Sequence, residues 1–299
     1  MIKNMEIVIG IPAYNEEKNI ARIIAEISKK GYSVIVCNDC STDSTKLISE
    51  KMGAIVINHS KNLGYGAGIR SIFQKAKEMN FDILVTFDAD GQHRIEDLEN
   101  VINPIIEKDA DMVLGSRFLK LNSKNVPKYR EIGIKAITKL TNVSINEKIT
   151  DSQSGFRAYN KKVLNSINPS EHGMGVSTEI LIKASKQEFK IFEVPIEVLY
   201  DGDTSTHNPV SHGTSVIFST MKFTAIEHPL KFYGIPGIVL LTVGLFFIVW
   251  TIQEFSLSRQ IITNLALIGT GSTIVGTMLL ITSIILYSLV NVVREKNTT

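Results

Sequence analysis

Short apolar runs alternate with amphipathic stretches along residues 1–115. In the first amphipathic stretch Ile20, Ile23, Ile24 and Ile27 fall on one helix face, as expected for a helix that packs on a sheet. This alternation is typical of β-α-β units and predicts a mainly parallel sheet. The predicted strands are 6–11, 33–38, 54–58, 82–88 and 112–115. The predicted helices between them are 16–30, 44–52, 66–79 and 95–108.

The following stretch is less regular. Its pattern predicts a basic helix at 128–146, a turn-rich segment at 151–160, a helix at 176–186 and a strand at 190–199. A polar loop at 201–213 then leads to residues 214–227, whose apolar positions suit a helix on a membrane surface or, equally, an ordinary packing helix.

Two apolar segments near the carboxyl terminus, 232–252 and 261–293, contain no Asp, Glu, Lys or Arg. Each is long enough to cross a bilayer, and the short connector between them makes the pair a helical hairpin. The predicted organisation is an α/β domain at 1–210, a juxtamembrane amphipathic helix at 211–231, two transmembrane helices with their connector at 232–293, and a tail at 294–299.

The charges that flank the hairpin predict its orientation. Lys222 and Lys231 precede it and Arg294 and Lys296 follow it, whereas the connector holds only Arg259. Because positive residues concentrate on the cytoplasmic side, we expect a multi-pass protein of the cell membrane with its α/β domain in the cytoplasm. The first residues are charged and lead into a strand, unlike a signal peptide.

Charge and cysteine content narrow the functional classes. The formal net charge is +2 and no basic block occurs, so nucleic acid is not an expected partner. Cys37 and Cys40 form a C-x-x-C pair without a second ligand pair nearby, so neither a zinc site nor a redox role is expected.

The sequence Asp88-Ala89-Asp90 follows an apolar predicted strand. Alternation along that strand would point both carboxylates the same way, and two such charges need a cation. Mg²⁺ or Mn²⁺ bridging a diphosphate is the natural partner, and Gln92 and His93 could add contacts. Taken alone, however, D-x-D is common and also fits a solvated acidic turn.

The loops after the first two predicted strands, 12–16 and 38–43, are also polar. Their carboxylates could accept hydrogen bonds from a nucleoside, but Ser, Asn and Asp equally cap helices. A glycine-rich turn at 61–68 follows the third strand, and Ile69 stands where a dinucleotide-binding G-x-G-x-x-G would need its third glycine. A nicotinamide or flavin site is therefore disfavoured.

Five short motifs occur along the chain in this order: P-A-Y-N-E, D-C-S-T-D, N-L-G-Y-G-A-G, D-A-D-G-Q and S-G-F-R-A-Y. In order and spacing they resemble the motifs of the family 2 inverting glycosyltransferases of GT-A fold, specifically the dolichyl-phosphate (polyprenyl-phosphate) sugar synthases. The resemblance covers residues 5 to about 200. It implies a GT-A catalytic domain with a mainly parallel sheet, a nucleotide-sugar donor, a polyprenyl or dolichyl phosphate acceptor in the membrane, and Mg²⁺ or Mn²⁺.

The resemblance also implies roles for matching residues. The nucleotide-binding positions are Pro12, Ala13, Tyr14, Asn15, Glu16, Asp39, Gly64, Asp88 and Ala89. The metal positions are Asp88, Asp90 and Gln92, and the catalytic positions are Asp90, Arg117 and Arg130. The acceptor or diphosphate positions are Arg117, Arg130, Ser154, Arg157, His207 and His212. Arg130 could equally be a surface charge and Arg157 a structural residue.

The predicted reaction needs no strong general base, because a lipid phosphate is already anionic at neutral pH. Mannosyl members of the family carry an Arg and a Gly-x-Ser element in the loop after the last strand, which residues 200–213 do not match. This departure favours UDP-glucose or UDP-N-acetylglucosamine over GDP-mannose as donor.

Three other functions compete with this interpretation. Transfer to a polysaccharide or glycan would make the hairpin only an anchor, and a non-catalytic membrane-tethered scaffold would retain the fold without the chemistry. An oxidoreductase is weakened by Ile69. Whether the protein is a homo-oligomer stays open.

Overall fold

The structure is a computed structural model that describes residues 5–119, 126–145, 147–199, 221, 225–226 and 228–298, except the side chains of 128–130 and 291–298. The chain divides into two compact units, Met1–Thr220 and Met221–Thr299. The loop expected at 201–213, with His207 and His212, and most of the expected juxtamembrane helix lie outside the described residues.

The first unit is built on a seven-stranded sheet in the order β3-β2-β1-β4-β6-β5-β7. Its strands are β1 (Ile7–Ala13), β2 (Ser33–Asn38), β3 (Ile55–Asn58), β4 (Ile83–Thr86), β5 (Met112–Ser116), β6 (Arg157–Asn160) and β7 (Ile191–Pro195). β6 pairs antiparallel with both β4 and β5, whereas the other pairs are parallel. The sheet is therefore mainly parallel, as the alternating pattern predicts.

Helices connect the strands. They are α1 (Ile20–Lys29), α2 (Thr45–Lys51), α3 (Tyr65–Glu78), α4 (Leu98–Glu107), α5 (Lys128–Ser144), α6 (Lys161–Ser166) and α7 (Val176–Lys186). The four isoleucines of α1 are buried in one core with Ile9 and Ile11 of β1, which confirms the predicted packing face. Burying one such side chain contributes roughly 1.5–3 kcal/mol, so this face holds α1 on the sheet.

The segment expected to be rich in turns, 151–160, ends in the strand β6, and α6 follows it directly. The strand was missed because it is short and begins with Arg157, a residue that rarely occupies a core position. β4 also ends at Thr86, two residues earlier than predicted. Asp88 and Asp90 consequently lie in the loop and turn that follow β4, and strand alternation does not orient them.

The second unit consists of a π-helical turn (Leu230–Gly234) followed by α8 (Ile235–Ser258) and α9 (Thr263–Thr298). Two stretches, Leu230–Ser258 and Thr263–Val290, are long and apolar enough to cross a membrane. The two helices approach closely at glycines, since a Cβ added to Gly244 would lie 2.4 Å from Thr273 Oγ1. Small residues that allow such close backbone approach are typical of helix pairs in membranes.

Candidate active site at the carboxyl edge of the sheet

The candidate site lies where the strand order reverses. The chain runs from β1 outward through β2 and β3, then returns to place β4 on the other side of β1. In an open α/β sheet this switch point opens a crevice beyond the carboxyl ends of the strands, where ligands bind. The loops that follow β1, β2 and β4 carry the acidic residues singled out from the sequence.

Asp88 is held by side chains from two other segments. The Tyr65 hydroxyl donates to Asp88 Oδ1 at 3.0 Å, and His93 Nε2 lies 3.2 Å from Asp88 Oδ2. Burial opposes ionisation of Asp88, but the hydrogen bond and charge of His93, with smaller contributions from Tyr65 and Arg117, outweigh it and lower the pKa of the carboxyl. The Asp88 carboxylate is therefore fixed, anionic and within electrostatic range of Arg117.

Asp90 and Gln92 belong to a tight turn. Gly91 adopts φ +75°, and the Gln92 backbone N–H donates to Asp90 Oδ1 at 2.9 Å. The Asn19 side chain of the loop before α1 donates to the Asp90 carbonyl at 3.3 Å. The turn is thus fixed against the amino end of α1, close to the segment that carries Glu16.

Glu16 completes an acidic cluster. Burial, together with the negative charges of Asp90, Asp43 and Asp88, raises the pKa of Glu16 to about 7, although a hydrogen bond with Asn19 acts in the opposite direction. These four carboxyls lie in the loops that follow three different strands, β1, β2 and β4. Like charges gathered in one crevice favour a cation or a polar ligand that relieves their repulsion.

The loops after β1 and β2 are joined by hydrogen bonds. Asn15, at φ +57°, donates its backbone N–H to Ser41 Oγ at 3.0 Å and accepts from the Thr42 N–H at 2.8 Å. Pro12 and Ala13 end β1, and Tyr14 beyond them is exposed. The structure therefore brings the predicted residues Pro12, Ala13, Tyr14, Asn15 and Glu16 to one edge, with Tyr14 open to solvent.

Asp39 faces inward. Its carboxylate lies 2.6 Å from His59 Nδ1 and accepts the backbone N–H groups of Leu63 and Gly64 at 2.9 and 2.8 Å. Gly64 adopts φ +93°, and a Cβ there would lie 2.7 Å from the His172 carbonyl. Asp39 and Gly64, both predicted to bind the nucleotide, are hydrogen-bonded to each other in this structure and so join the loop after β2 to the start of α3.

Arg117 forms a forked ion pair with Asp151. Arg117 Nε and Nη2 donate to the two carboxylate oxygens at 2.6 and 2.8 Å. Burial raises the pKa of Asp151, but Arg117 and backbone hydrogen bonds outweigh this and lower it. Asp151, which the sequence did not single out, therefore orients the guanidinium. The side chain of Arg130, on α5, lies outside the described part of the chain.

Arg157 has the structural environment that the sequence left open as the alternative to an acceptor or diphosphate contact. Its guanidinium is 1% exposed and donates to the carbonyls of Ser152, Ser154 and Ser177, each at 2.7 Å. With its hydrogen bonds directed into the protein it supports the 152–154 loop, and it does not face a ligand. Ala89 is likewise packed in the core. Ser154 is 2% exposed, and its hydroxyl has no hydrogen-bond partner among the described residues.

The cysteines contribute no metal site in the part of the chain that is described. Burial raises the pKa of Cys37 to about 12, and its thiol lies 3.5 Å from His59 Nε2. Cys40 hydrogen-bonds the Ser60 carbonyl. Both cysteines are free thiols.

Sequence reasoning missed His59, Tyr65 and Asp151 as structural partners of the site. Each lies 20 or more residues from the carboxylate or guanidinium that it contacts. No periodicity links residues so far apart, so only the sheet topology brings them together.

The mainly parallel sheet and the paired aspartates at its switch point define an α/β domain of GT-A fold. The chain belongs to glycosyl transferase family 2, whose sequence profile matches residues 8–167.

The chain is also similar to characterised sugar transferases. A UDP-N-acetylglucosamine–dolichyl-phosphate N-acetylglucosaminyltransferase of Methanococcus voltae is 34% identical over 228 residues, which cover 69% of this chain and 89% of that protein. A dolichyl-phosphate hexose transferase of Haloferax volcanii is 29% identical, covering 76% of this chain and 96% of its own length.

The fold is similar to that of glucosyl-3-phosphoglycerate synthase from Mycobacterium tuberculosis, solved with Mn²⁺, UDP and phosphoglyceric acid. The two structures superpose with a TM-score of 0.56 at 18% identity, covering 74% of this chain and 79% of that chain. At this identity the likeness establishes the fold.

Proposed function

We propose that this protein transfers a sugar from a nucleotide diphosphate to a polyprenyl phosphate, with inversion at the anomeric carbon. One observation carries the proposal. The same chain has a cluster of carboxyls at the switch point of its sheet and two helices able to cross a membrane. The names of the archaeal relatives, which act on dolichyl phosphate, support the same acceptor.

Asp88 and Asp90 would hold the divalent metal. No group of three or more His, Cys, Asp or Glu residues that could bind a metal by itself occurs among the described residues. Mg²⁺ bound with a nucleotide diphosphate needs only one or two carboxylates, because phosphate and water oxygens complete its shell, and two aspartates therefore fit it. When bound, the metal neutralises charge on the departing diphosphate.

The nucleoside would lie along the loops after β1 and β2. Tyr14 is exposed there, and Glu16 is half-buried beside the aspartates. A carboxyl with a pKa of about 7 can present either a donor or an acceptor to a polar ligand at neutral pH. The buried Asp39 would shape this wall through His59 and the backbone of Gly64.

Arg117 would bind phosphate oxygens with the guanidinium that Asp151 orients. Arg130 is proposed as a second phosphate contact from α5. Guanidinium groups suit phosphate because their N–H groups form a planar fork. The acceptor phosphate is already anionic, so its oxygen can attack the anomeric carbon while these residues hold it in line, and the sugar bond to the diphosphate breaks.

The donor is proposed to be a UDP-sugar, with glucose or N-acetylglucosamine favoured. The mismatch of residues 200–213 to the mannosyl pattern and the relative that uses UDP-N-acetylglucosamine support this choice. GDP-mannose stays the second donor to test, since a dolichol-phosphate mannosyltransferase of Pyrococcus furiosus is 30% identical over 202 residues.

The membrane hairpin would anchor the enzyme beside its acceptor, with the α/β domain in the cytoplasm. The charges that flank the hairpin support this orientation.

A donor panel tests the proposal. The full chain, purified in detergent, is incubated with polyprenyl phosphate, Mg²⁺ or Mn²⁺ and radiolabelled UDP-glucose, UDP-N-acetylglucosamine or GDP-mannose, and label in the organic phase is counted. We expect label from one UDP-sugar, and its loss in Asp90→Asn. Absence of lipid label from every donor, with the wild type folded, would reject the lipid acceptor and favour a glycan acceptor or a scaffold.

A further inference from the structure

Among the residues that the structure describes, Asp88 is the one polar group that the His93 ring contacts. Because an ionised carboxylate only accepts hydrogen bonds, the Nε2 atom that lies 3.2 Å from Asp88 Oδ2 carries the proton. The other ring nitrogen, Nδ1, is buried without a hydrogen-bond partner among the described residues. Burying an unpaired polar atom destabilises a fold, so packing alone does not explain a histidine here.

The surroundings of His93 hold its ring in place. Its centroid lies 5.7 Å from that of Phe87 and 5.2 Å from that of Phe156. Its backbone forms a bridge with Val198. The ring is therefore fixed on two sides by aromatic contacts, and its one donated hydrogen bond is directed at Asp88.

Tyr65 is fixed in a different way. It begins α3 between two glycines whose backbones lie against the 171–173 loop, since a Cβ on Gly66 would lie 2.2 Å from the Glu171 carbonyl. Its hydroxyl reaches Asp88 over Gly155, where an added Cβ would lie 2.6 Å from Tyr65 Oη and 2.7 Å from Asp88 Oδ2. Gly155 thus leaves the space in which the contact forms.

We propose that Tyr65 and His93 are positioning residues that fix the Asp88 carboxylate in the orientation needed to bind the metal of the donor diphosphate. The inference rests on the proposed function and extends it. Each residue uses one oxygen of Asp88, and a carboxylate has about four lone-pair sites, so both oxygens keep capacity for a cation. Side chains that bind a metal are commonly held in orientation by hydrogen bonds from residues that do not touch the metal themselves.

Direct metal binding tests this inference. The full chain in detergent, with saturating UDP, is titrated with Mn²⁺ while free Mn²⁺ is followed by electron paramagnetic resonance. Tyr65→Phe removes only the hydroxyl, and His93→Leu removes the imidazole donor. His93→Gln restores an N–H near the position of Nε2. Tyr32→Phe, at a position outside the site, is the matched control.

We expect the Mn²⁺ dissociation constant to rise by about tenfold or more in Tyr65→Phe and His93→Leu, as for other residues that support metal ligands. Tyr32→Phe should match the wild type and His93→Gln should recover most of the affinity. In the transfer assay, the Mn²⁺ concentration for half-maximal rate should rise while the rate at saturating Mn²⁺ changes much less. A fixed structural role would not produce this selective effect.

Mn²⁺ affinities within about twofold of the wild type in both Tyr65→Phe and His93→Leu would overturn the inference. Tyr65→Phe decides the matter alone if His93→Leu fails to fold. A wild type that binds no Mn²⁺ would overturn it too. Sugar transfer by that same preparation in the presence of EDTA would show that the proposed transferase function nevertheless stands.

Discussion

At the residue scale, the acidic crevice makes the stability of the protein depend on pH. The raised pKa of Glu16 means that the folded protein binds this proton more tightly than the unfolded chain does. The resulting stabilisation is complete below the ordinary pKa of 4.5 and is lost as the pH rises through about 7. Above that pH the ionised Glu16 opposes folding.

Glu16→Gln should therefore stabilise the fold at pH 8 by roughly 1–3 kcal/mol and have little effect at pH 4.5, because it removes the buried charge. Melting temperature measured across this range checks the prediction. Glu26→Gln, which changes an exposed carboxyl of α1, is the control. A difference between Glu16→Gln and wild type that does not change with pH would contradict the account.

Asp151 carries the charge that orients Arg117. The side chain of Asp151 is 0% exposed and that of Arg117 is 16% exposed, so losing the carboxylate charge removes the forked ion pair that holds this mostly buried guanidinium. Asp151→Asn should lower the free energy of unfolding by about 3–5 kcal/mol and lower the transfer rate as well. Melting temperature and the lipid-label assay check both effects.

The control for Asp151→Asn is Asp109→Asn, which breaks an ion pair whose aspartate is 76% exposed. The control should leave melting temperature and transfer unchanged. Equal melting temperatures for the two variants would contradict the role given to the Asp151–Arg117 pair.

The chemistry of single residues was predictable where neighbours in sequence are neighbours in space. Asp88, Asp90 and Gln92 could be found because they follow one apolar strand. Asp39 could be found but its environment could not, since His59 comes from the loop after β3. For Arg157 the sequence left a ligand contact and a structural role both open, because sequence patterns do not distinguish a buried guanidinium from an exposed one.

At the scale of elements, the glycine-rich turn before α3 packs closely on another loop. The Gly66 N–H donates to the His172 carbonyl at 2.8 Å, and Glu179 holds the neighbouring residues by accepting the backbone N–H groups of Ser170 and Glu171. The glycines of this turn therefore serve close backbone packing.

Gly66→Ala should lower the melting temperature, because its Cβ would meet the Glu171 carbonyl at 2.2 Å. Gly133→Ala is the matched control, since nothing lies within 4 Å of a Cβ at this position of α5. The control should stabilise the helix by about 0.5–1 kcal/mol. Thermal melting of both variants beside the wild type checks this prediction. A Gly66→Ala variant as stable as the wild type would contradict the packing role.

Regular elements were predictable to the extent that they show a repeating pattern. The isoleucines of α1 define its buried face, and the strands β1 to β5 coincide closely with apolar runs. β6 could not be predicted from periodicity, because a four-residue strand shows too little alternation. Its antiparallel placement between β4 and β5 depends on contacts across the sheet.

At the scale of the whole molecule, the hairpin orientation is open to direct test. α8 and α9 are joined by a short connector that contains Arg259. Ser258→Cys in a Cys40→Ser background should react from outside intact cells with a membrane-impermeant maleimide. Reaction only after the cells are broken would contradict the proposed cytoplasmic position of the α/β domain.

The central claim, that a lipid phosphate is the acceptor, is tested most directly by comparing polyprenyl phosphate with the corresponding polyprenol under one labelled UDP-sugar. The account predicts labelled lipid only with the phosphate, because an anionic oxygen can attack without a strong base. Equal labelling of the alcohol, or transfer to neither lipid by folded enzyme, would contradict it.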